Sequence, residues 1–347
     1  MQTQCLLATP ESIAEAGRMI QAGELVAFPT ETVYGLGADG MNPEAVSKIF
    51  AAKGRPADNP LILHIARPSQ VEGIAASVPA FAQKAMDTFW PGPLTVVLPA
   101  TAAVPKEVTA GLSTVAVRLP AHPVAQALLE AAGCPVAAPS ANRSGRPSPT
   151  RAEDVLLDLS GQIPLVLDGG SCGVGVESTV LDCTGAIPCV LRPGGVTKEM
   201  LEGVLGSVEV DPSALRELSP LDEARSPGMR HRHYAPKASM TVFLGPNHAV
   251  TRAIARRAVQ IMQEEAGRPV ILATTENLPA YGGLPTVLWG SHKKTDELAQ
   301  RLYVALRQMD AMGATHILAE GIGTEGMGLA VMNRLLRAAG FHVVNVG

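Results

Sequence analysis

Cations and small polar side chains recur where the apolar runs of this chain end. Lys53 and Arg55 flank Gly54, and Arg118 closes Thr114-Val-Ala-Val-Arg118. Ser140 and Asn142 follow Pro135-Val-Ala-Ala-Pro139, and Arg192 closes Cys189-Val-Leu-Arg192. Such groups hold anions and stabilise the charge that develops in phosphoryl chemistry. Each also has a plainer role open to it. Lys53 and Arg55 can complement a helix C-terminus, Arg118 can sit on a strand's wet face, and Ser140-Ala-Asn142 can be a simple turn. Arg118 is the most demanding, because its apolar neighbours imply burial and a buried guanidinium needs an anionic partner. The loop Asp168-Gly-Gly-Ser-Cys-Gly-Val-Gly175 adds amides that can face a phosphate or carboxylate. It is not a Walker A loop, since no Lys-Ser or Lys-Thr follows at that spacing.

These groups need a scaffold. Leu25 to Phe28 is a buried strand that stops at Pro29. Thr30, Glu31, Thr32 and Tyr34 stand at its end, and Gly35 and Gly37 are expected to turn the chain sharply or lie close to a ligand. Asn42-Pro43-Glu44 opens a helix that Gly54 ends. Leu61 to Ile65 is a second strand and carries His64. Within residues 1–23 a helix is expected that starts at Thr9-Pro-Glu-Ser12 and stops at Gly23, and further helices are expected at 77–90, 123–132, 198–205 and in a segment begun by the capping box Thr150-x-x-Glu153. Strands are expected at 94–98, 114–119, 135–139, 163–167, 179–182 and 189–192.

This organisation gives a first domain over 1–210, a linker over 211–236 and a second domain over 237–347. The linker contains Ser226-Pro-Gly-Met-Arg-His-Arg-His-Tyr-Ala-Pro236, richer in imidazole and aromatic groups than a tether needs, and suits a segment laid across a site. In 237–347, strands at 238–244, 269–273, 286–289 and 316–320 alternate with helices at 250–266, 298–312 and 328–339. That alternation predicts a small parallel sheet covered by helices. Gly35-Leu-Gly-Ala-Asp-Gly40 and Gly321-Ile-Gly-Thr-Glu-Gly326 match G-x-G-x-x-G. The first does not open its helix, and no acidic residue follows the second to hold a ribose, so a nicotinamide enzyme is not indicated.

Of the 347 residues, 46% are hydrophobic and 17% charged, which suits a globular chain of about two domains. The formal net charge of −4 gives no basic footprint for autonomous nucleic-acid binding. The five cysteines are odd in number and lack C-x-x-C spacing, so they suit reduced core positions rather than zinc ligands or disulfides. No signal-peptide pattern opens the sequence, and no apolar run approaches the roughly 18 residues of a membrane span. A cytoplasmic location without membrane contact is expected.

The order Pro29-Thr-Glu-Thr-Val-Tyr-Gly-Leu-Gly37, Asn59-Pro-Leu61, His64, Arg118 and Glu177-Ser-Thr179 resembles the YrdC-like threonylcarbamoyl-AMP synthase family. Lys53-x-Arg55 and Ser140-x-Asn142 look like that family's KxR…SxN tetrad. The 226–236 segment and the C-terminal domain are similar to its long, two-domain form. The resemblance implies an α/β fold: a twisted mixed sheet with flanking helices, plus a smaller Rossmann-like parallel-sheet domain. It implies that L-threonine, bicarbonate and ATP, with Mg2+, give threonylcarbamoyl-AMP and pyrophosphate. Lys53, Arg55, Ser140 and Asn142 would be catalytic. Thr32, Tyr34, His64, Arg118, Ala138 and Ser178 would hold threonine. Lys53, Arg55, Asn59, Ser113, Thr114, Ser140, Ser148, Arg192 and Tyr234 would hold ATP. No resident metal site is implied. Downstream transfer proteins would carry the group to tRNA, next to the anticodon, with weak or indirect tRNA contact here. One alternative is carbamoyl transfer in hydrogenase maturation, but the zinc-binding cysteine clusters and acylphosphatase-like part of those proteins are not in this sequence. The other is a non-catalytic double-stranded RNA or tRNA binder, against which the acidic balance argues.

Overall fold

A computed structural model of the chain describes residues 2–217, 234–264 and 267–347. By contact it divides into two compact units. The first holds 2–144 and 148–214, and the second holds 145–147, 215–217 and the described residues from 234 onward. The linker motif at 226–233 lies outside the described residues.

The first unit is built on one mixed sheet. Its strands are β1 (Gln4–Leu7), β2 (Val26–Phe28), β3 (Gly35–Asp39), β4 (Ile62–His64), β5 (Leu94–Pro99), β6 (Thr114–Arg118), β7 (Val136–Ala137), β8 (Leu165–Asp168), β9 (Thr179–Asp182), β10 (Cys189–Arg192) and β11 (Glu209–Val210). They lie in the order β1-β8-β2-β3-β7-β4-β6-β5-β9-β10-β11. Helices Pro10–Gln21 and Pro123–Ala132 bury Ile20, Leu128 and Leu129 against Val26, Phe28 and Leu167. A second core gathers Leu36, Val46, Ile49, Leu63, Val96, Val117 and Leu181. Helix Pro43–Lys53 is bounded as its sequence dictates. Asn42 Oδ1 accepts from the amides of Glu44 and Ala45, and Gly54 is left-handed at φ 59°.

The helix expected to start at Thr9 and stop at Gly23 runs Pro10–Gln21 with Thr9 as its N-cap. Before it lies β1, which pairs in parallel with β8, a partner some 160 residues away in sequence. Two expectations need correction in this unit. Gly35 and Gly37 do not turn the chain but lie in β3, where small size serves packing. A Cβ at Gly37 would stand 2.9 Å from both Phe28 Cε1 and Val136 Cγ1. Thr150 does not cap its helix: Ala152–Leu159 starts after Arg151, and the Thr150 amide itself donates to Asp154 Oδ2 at 3.4 Å.

The second unit has a sheet of β12 (Ser239–Leu244), β13 (Pro269–Thr274), β14 (Thr286–Gly290), β15 (His316–Glu320) and β16 (Val343–Asn345). All pairs are parallel, in the order β14-β13-β15-β12-β16. β16 escaped the sequence reading. Helix Asn247–Glu264 buries Val250, Ile254 and Ile261 against Phe243, Ile271 and Leu318 on one face. Helices Thr295–Ala311 and Met327–Ala338 pack together on the other. No described helix is long and apolar enough to cross a membrane.

Candidate active site

The site grows from the loop that leaves β2. Thr30 Oγ1 folds the loop on itself, accepting from the amides of Thr32 and Val33 at 3.2 Å each and donating to Val33 O at 2.6 Å. Other segments hang on its backbone. The amides of Val174 and Gly175 donate to Glu31 O and Thr32 O at 2.7 and 3.1 Å. The Ala141 amide donates to Tyr34 O at 2.8 Å, and the Tyr34 amide to Pro149 O at 2.9 Å. The glycine loop and the Ser140 segment are thus fixed to one support.

Strand register supplies a second frame. His64, Arg118, Thr95, Val180 and Arg192 are successive register partners across β4, β6, β5, β9 and β10. Partners in register share a face of the sheet. Arg118 is buried, and its guanidinium makes two hydrogen bonds and one close ion pair. Nε donates to Gly92 O at 3.4 Å, Nη1 donates to Thr32 Oγ1 at 2.9 Å, and Nη2 stands 2.7 Å from Glu31 Oε1. Burial raises the Glu31 pKa, but the Arg118 charge and hydrogen bonds outweigh it and hold the carboxyl below its ordinary range. His64 is pushed down to about 3, by burial first and then by the Arg118 charge, so its imidazole is neutral. Further along the row, Thr95 Oγ1 and Ser178 Oγ share a hydrogen bond at 2.7 Å. Arg192 donates from Nε to Ser178 O at 3.1 Å and from Nη2 to Ser178 Oγ at 3.2 Å.

The tetrad residues form their own cluster. Lys53 Nζ is buried and donates to the carbonyls of Ser140 and Asn142, each at 2.5 Å. Burial, then the neighbouring Arg55 charge, holds its pKa well below the ordinary lysine value. Ser140 Oγ donates to Asn142 Oδ1 at 2.5 Å. Arg55 Nη2 donates to Asn59 O and Pro60 O at 3.3 and 3.1 Å. Gly35 bridges Ser140 and pairs with Phe28, which ties this cluster to the root of the β2 loop.

Other expected residues take varied places. Tyr34 is fully buried, and its hydroxyl donates to Gly170 O at 2.7 Å, bracing the glycine loop. Ala138 donates from its amide to Ile62 O at 3.0 Å. Ser148 Oγ donates to Glu177 Oε1 at 2.5 Å. Ser113 and Thr114 stand at the opposite end of β6 from Arg118, about 13 Å along the strand, outside that cluster. Tyr234 belongs to the second unit, 5.6 Å from the Tyr303 ring and with the Arg334 guanidinium 5.5 Å over its own.

Comparison with known proteins decides the family. Residues 18–194 match a family model described as "Telomere recombination", and residues 196–340 match one described as "Threonylcarbamoyl-AMP synthase, C-terminal domain". The chain is 46% identical to the threonylcarbamoyl-AMP synthase of Pyrococcus abyssi, over 95% of each chain. It is also 46% identical to that of Bacillus subtilis, over 96% of this chain and 94% of the relative. The chain belongs to the threonylcarbamoyl-AMP synthase family. It is an enzyme of the nucleotidyl-transfer kind. A crystal structure of P. abyssi Sua5 complexed with L-threonine superposes with a TM-score of 0.94 at 44% identity, covering 99% of this chain and 100% of that one.

Three residues of this threonylcarbamoyl-AMP synthase relative stand in the site without a site role assigned from the sequence. Glu31 supplies the anion that a buried Arg118 demands, Thr95 joins Arg118's row to Ser178, and Glu177 receives Ser148. Thr95 carries a faint signal, as one hydroxyl inside the apolar run Leu94 to Leu98. Glu31 and Glu177 lie inside motifs whose neighbours drew the assignment.

Proposed function

We propose that this chain joins L-threonine, bicarbonate and ATP into threonylcarbamoyl-AMP, releasing water as the amine and bicarbonate form the carbamate and pyrophosphate as the carbamate takes the α-phosphate. The observation that carries the proposal is the Arg118 row, read together with the family. Arg118 and Glu31 put a cation and an anion 2.7 Å apart, complementary to an amino-acid zwitterion. Arg118 takes the threonine carboxylate with the N–H groups left after Gly92 and Thr32, and Glu31 faces the amine. Thr32, Tyr34, His64, Ala138 and Ser178 shape the rest of the amino-acid pocket. His64, being neutral, adds no charge beside the ammonium.

Threonine carbamate then attacks the α-phosphate of ATP. Such a step needs positioning and charge stabilisation more than a protein nucleophile. Lys53, Arg55, Ser140 and Asn142 surround the polyphosphate, whose negative charge offsets the burial and the Arg55 charge that lower the Lys53 pKa and so favours the protonated amine. Asn59, Ser113, Thr114, Ser148, Arg192 and Tyr234 complete the nucleotide site, and magnesium enters as the ATP complex. The division into 1–210, a linker over 211–236 that closes the site, and 237–347 belongs to this proposal. The product serves other proteins that place threonylcarbamoyl on a tRNA adenosine next to the anticodon. The test is pyrophosphate release with ATP, magnesium, bicarbonate and L-threonine, leaving out one component at a time. Release that requires both threonine and bicarbonate is expected. Release with neither means a generic nucleotide hydrolase; no release, with salt-sensitive RNA binding, means a binding module.

A further inference from the structure

The second unit has a crevice lined by none of the residues assigned to this chemistry. β12 and β15 are neighbours in the sheet, and the chain leaves their carboxyl ends in opposite directions. From β12, helix Asn247–Glu264 leads over one face to β13. From β15, helix Met327–Ala338 leads over the other face to β16. Open α/β sheets bind ligands outside the strand ends at such a switch in direction. A cavity of about 440 Å³ lies at this point. Leu244 and Asn247 line it from the end of β12, and Glu320 and Ile322 from the end of β15. Asn277 and His292, which follow β13 and β14, close its sides. Gly321 lets the two central strand ends meet, because a Cβ there would stand 2.2 Å from Leu244 Cδ2.

The lining chemistry narrows the ligand. None of the lining side chains is a lysine or arginine, so a polyphosphate would find no cation. Two amides offer paired donors and acceptors, which match the edge of a heterocyclic base. Leu244 and Ile322 offer apolar surface for its face. Glu320 Oε2 accepts from the Thr274 amide and hydroxyl at 3.0 and 2.7 Å, while Oε1 accepts, among the described residues, only the Tyr281 hydroxyl, at 2.5 Å. A second lone pair on Oε1 is left for a ligand hydroxyl. We propose that this crevice binds a neutral ribonucleoside, its sugar hydroxyl on Glu320 and its base between Asn247 and Asn277.

The probe is adenosine, titrated calorimetrically into the full chain while a non-cleavable ATP analogue and L-threonine saturate the first unit. One equivalent should bind with a Kd of about 1 mM or tighter. Gly323→Leu should fill the crevice, since a Cβ there meets nothing within 4 Å. It should weaken adenosine at least about tenfold, and Asn277→Ala by a similar factor, about 1.4 kcal/mol. Pyrophosphate release should be unchanged in both. Should Gly323→Leu fail to fold, Asn277→Ala decides alone. Absence of saturable binding, competition by the ATP analogue, or binding that survives the substitutions overturns the proposal. The readout is heat of adenosine binding, so it stands or falls separately from threonylcarbamoyl-AMP synthesis.

Discussion

Arg118 concentrates the site's chemistry in one side chain. Its planar fork reaches Gly92 O, Thr32 Oγ1 and Glu31 at once, a geometry that an ammonium cannot copy. Arg118→Lys should therefore raise the threonine KM on the order of tenfold or more while leaving the ATP KM within about twofold. Steady-state kinetics with each substrate varied checks this, and the opposite pattern would contradict the assignment. His64 makes a separate prediction, read in stability. Its pKa is about 3 in the fold against an ordinary 6.5, so the unfolded chain binds more protons between those values. The stability this contributes is whole above about 6.5 and is lost as pH falls toward 3. His64→Gln should flatten the fall of Tm across that window; an unchanged slope means the imidazole is not held neutral.

At the scale of elements, the site depends on a strand that its own sequence disguises. β3 begins Gly-Leu-Gly, which locally suggests a turn, yet the Phe28 ring and Val136 occupy the space a side chain at Gly37 would need. Gly37→Ala should cost about 1–3 kcal/mol by overpacking. Urea unfolding of the variant measures it, and a neutral result would show that Phe28 can move aside. What could be read from sequence follows the range of the cause. Asn42, Pro43 and Gly54 mark their helix because capping chemistry is local. β1 and β16 were missed because their partners, β8 and β12, lie far along the chain. The tetrad and Arg118 were visible as residue types. Arg118 plainly called for an anion, but that Glu31 provides it depends on a fold that brings together positions nearly ninety residues apart.

At the scale of the whole molecule, each unit has its own sheet and its own buried core. Of the residues assigned to the reaction, Tyr234 alone groups with the second unit. A chain ending at Arg225 should therefore still fold its first unit, giving a cooperative melt. It loses Tyr234 and the whole Ser226 to Pro236 segment. If that segment closes the site against water, pyrophosphate release should fall by on the order of tenfold or more. A chain ending at Pro236 keeps the segment and separates the two contributions. Recovery there assigns closure to the segment alone, whereas continued loss assigns it to the second unit that carries Tyr303 and Arg334 against Tyr234. Full activity in the shorter chain would reduce residues 226–236 to a tether and remove Tyr234 from the nucleotide site.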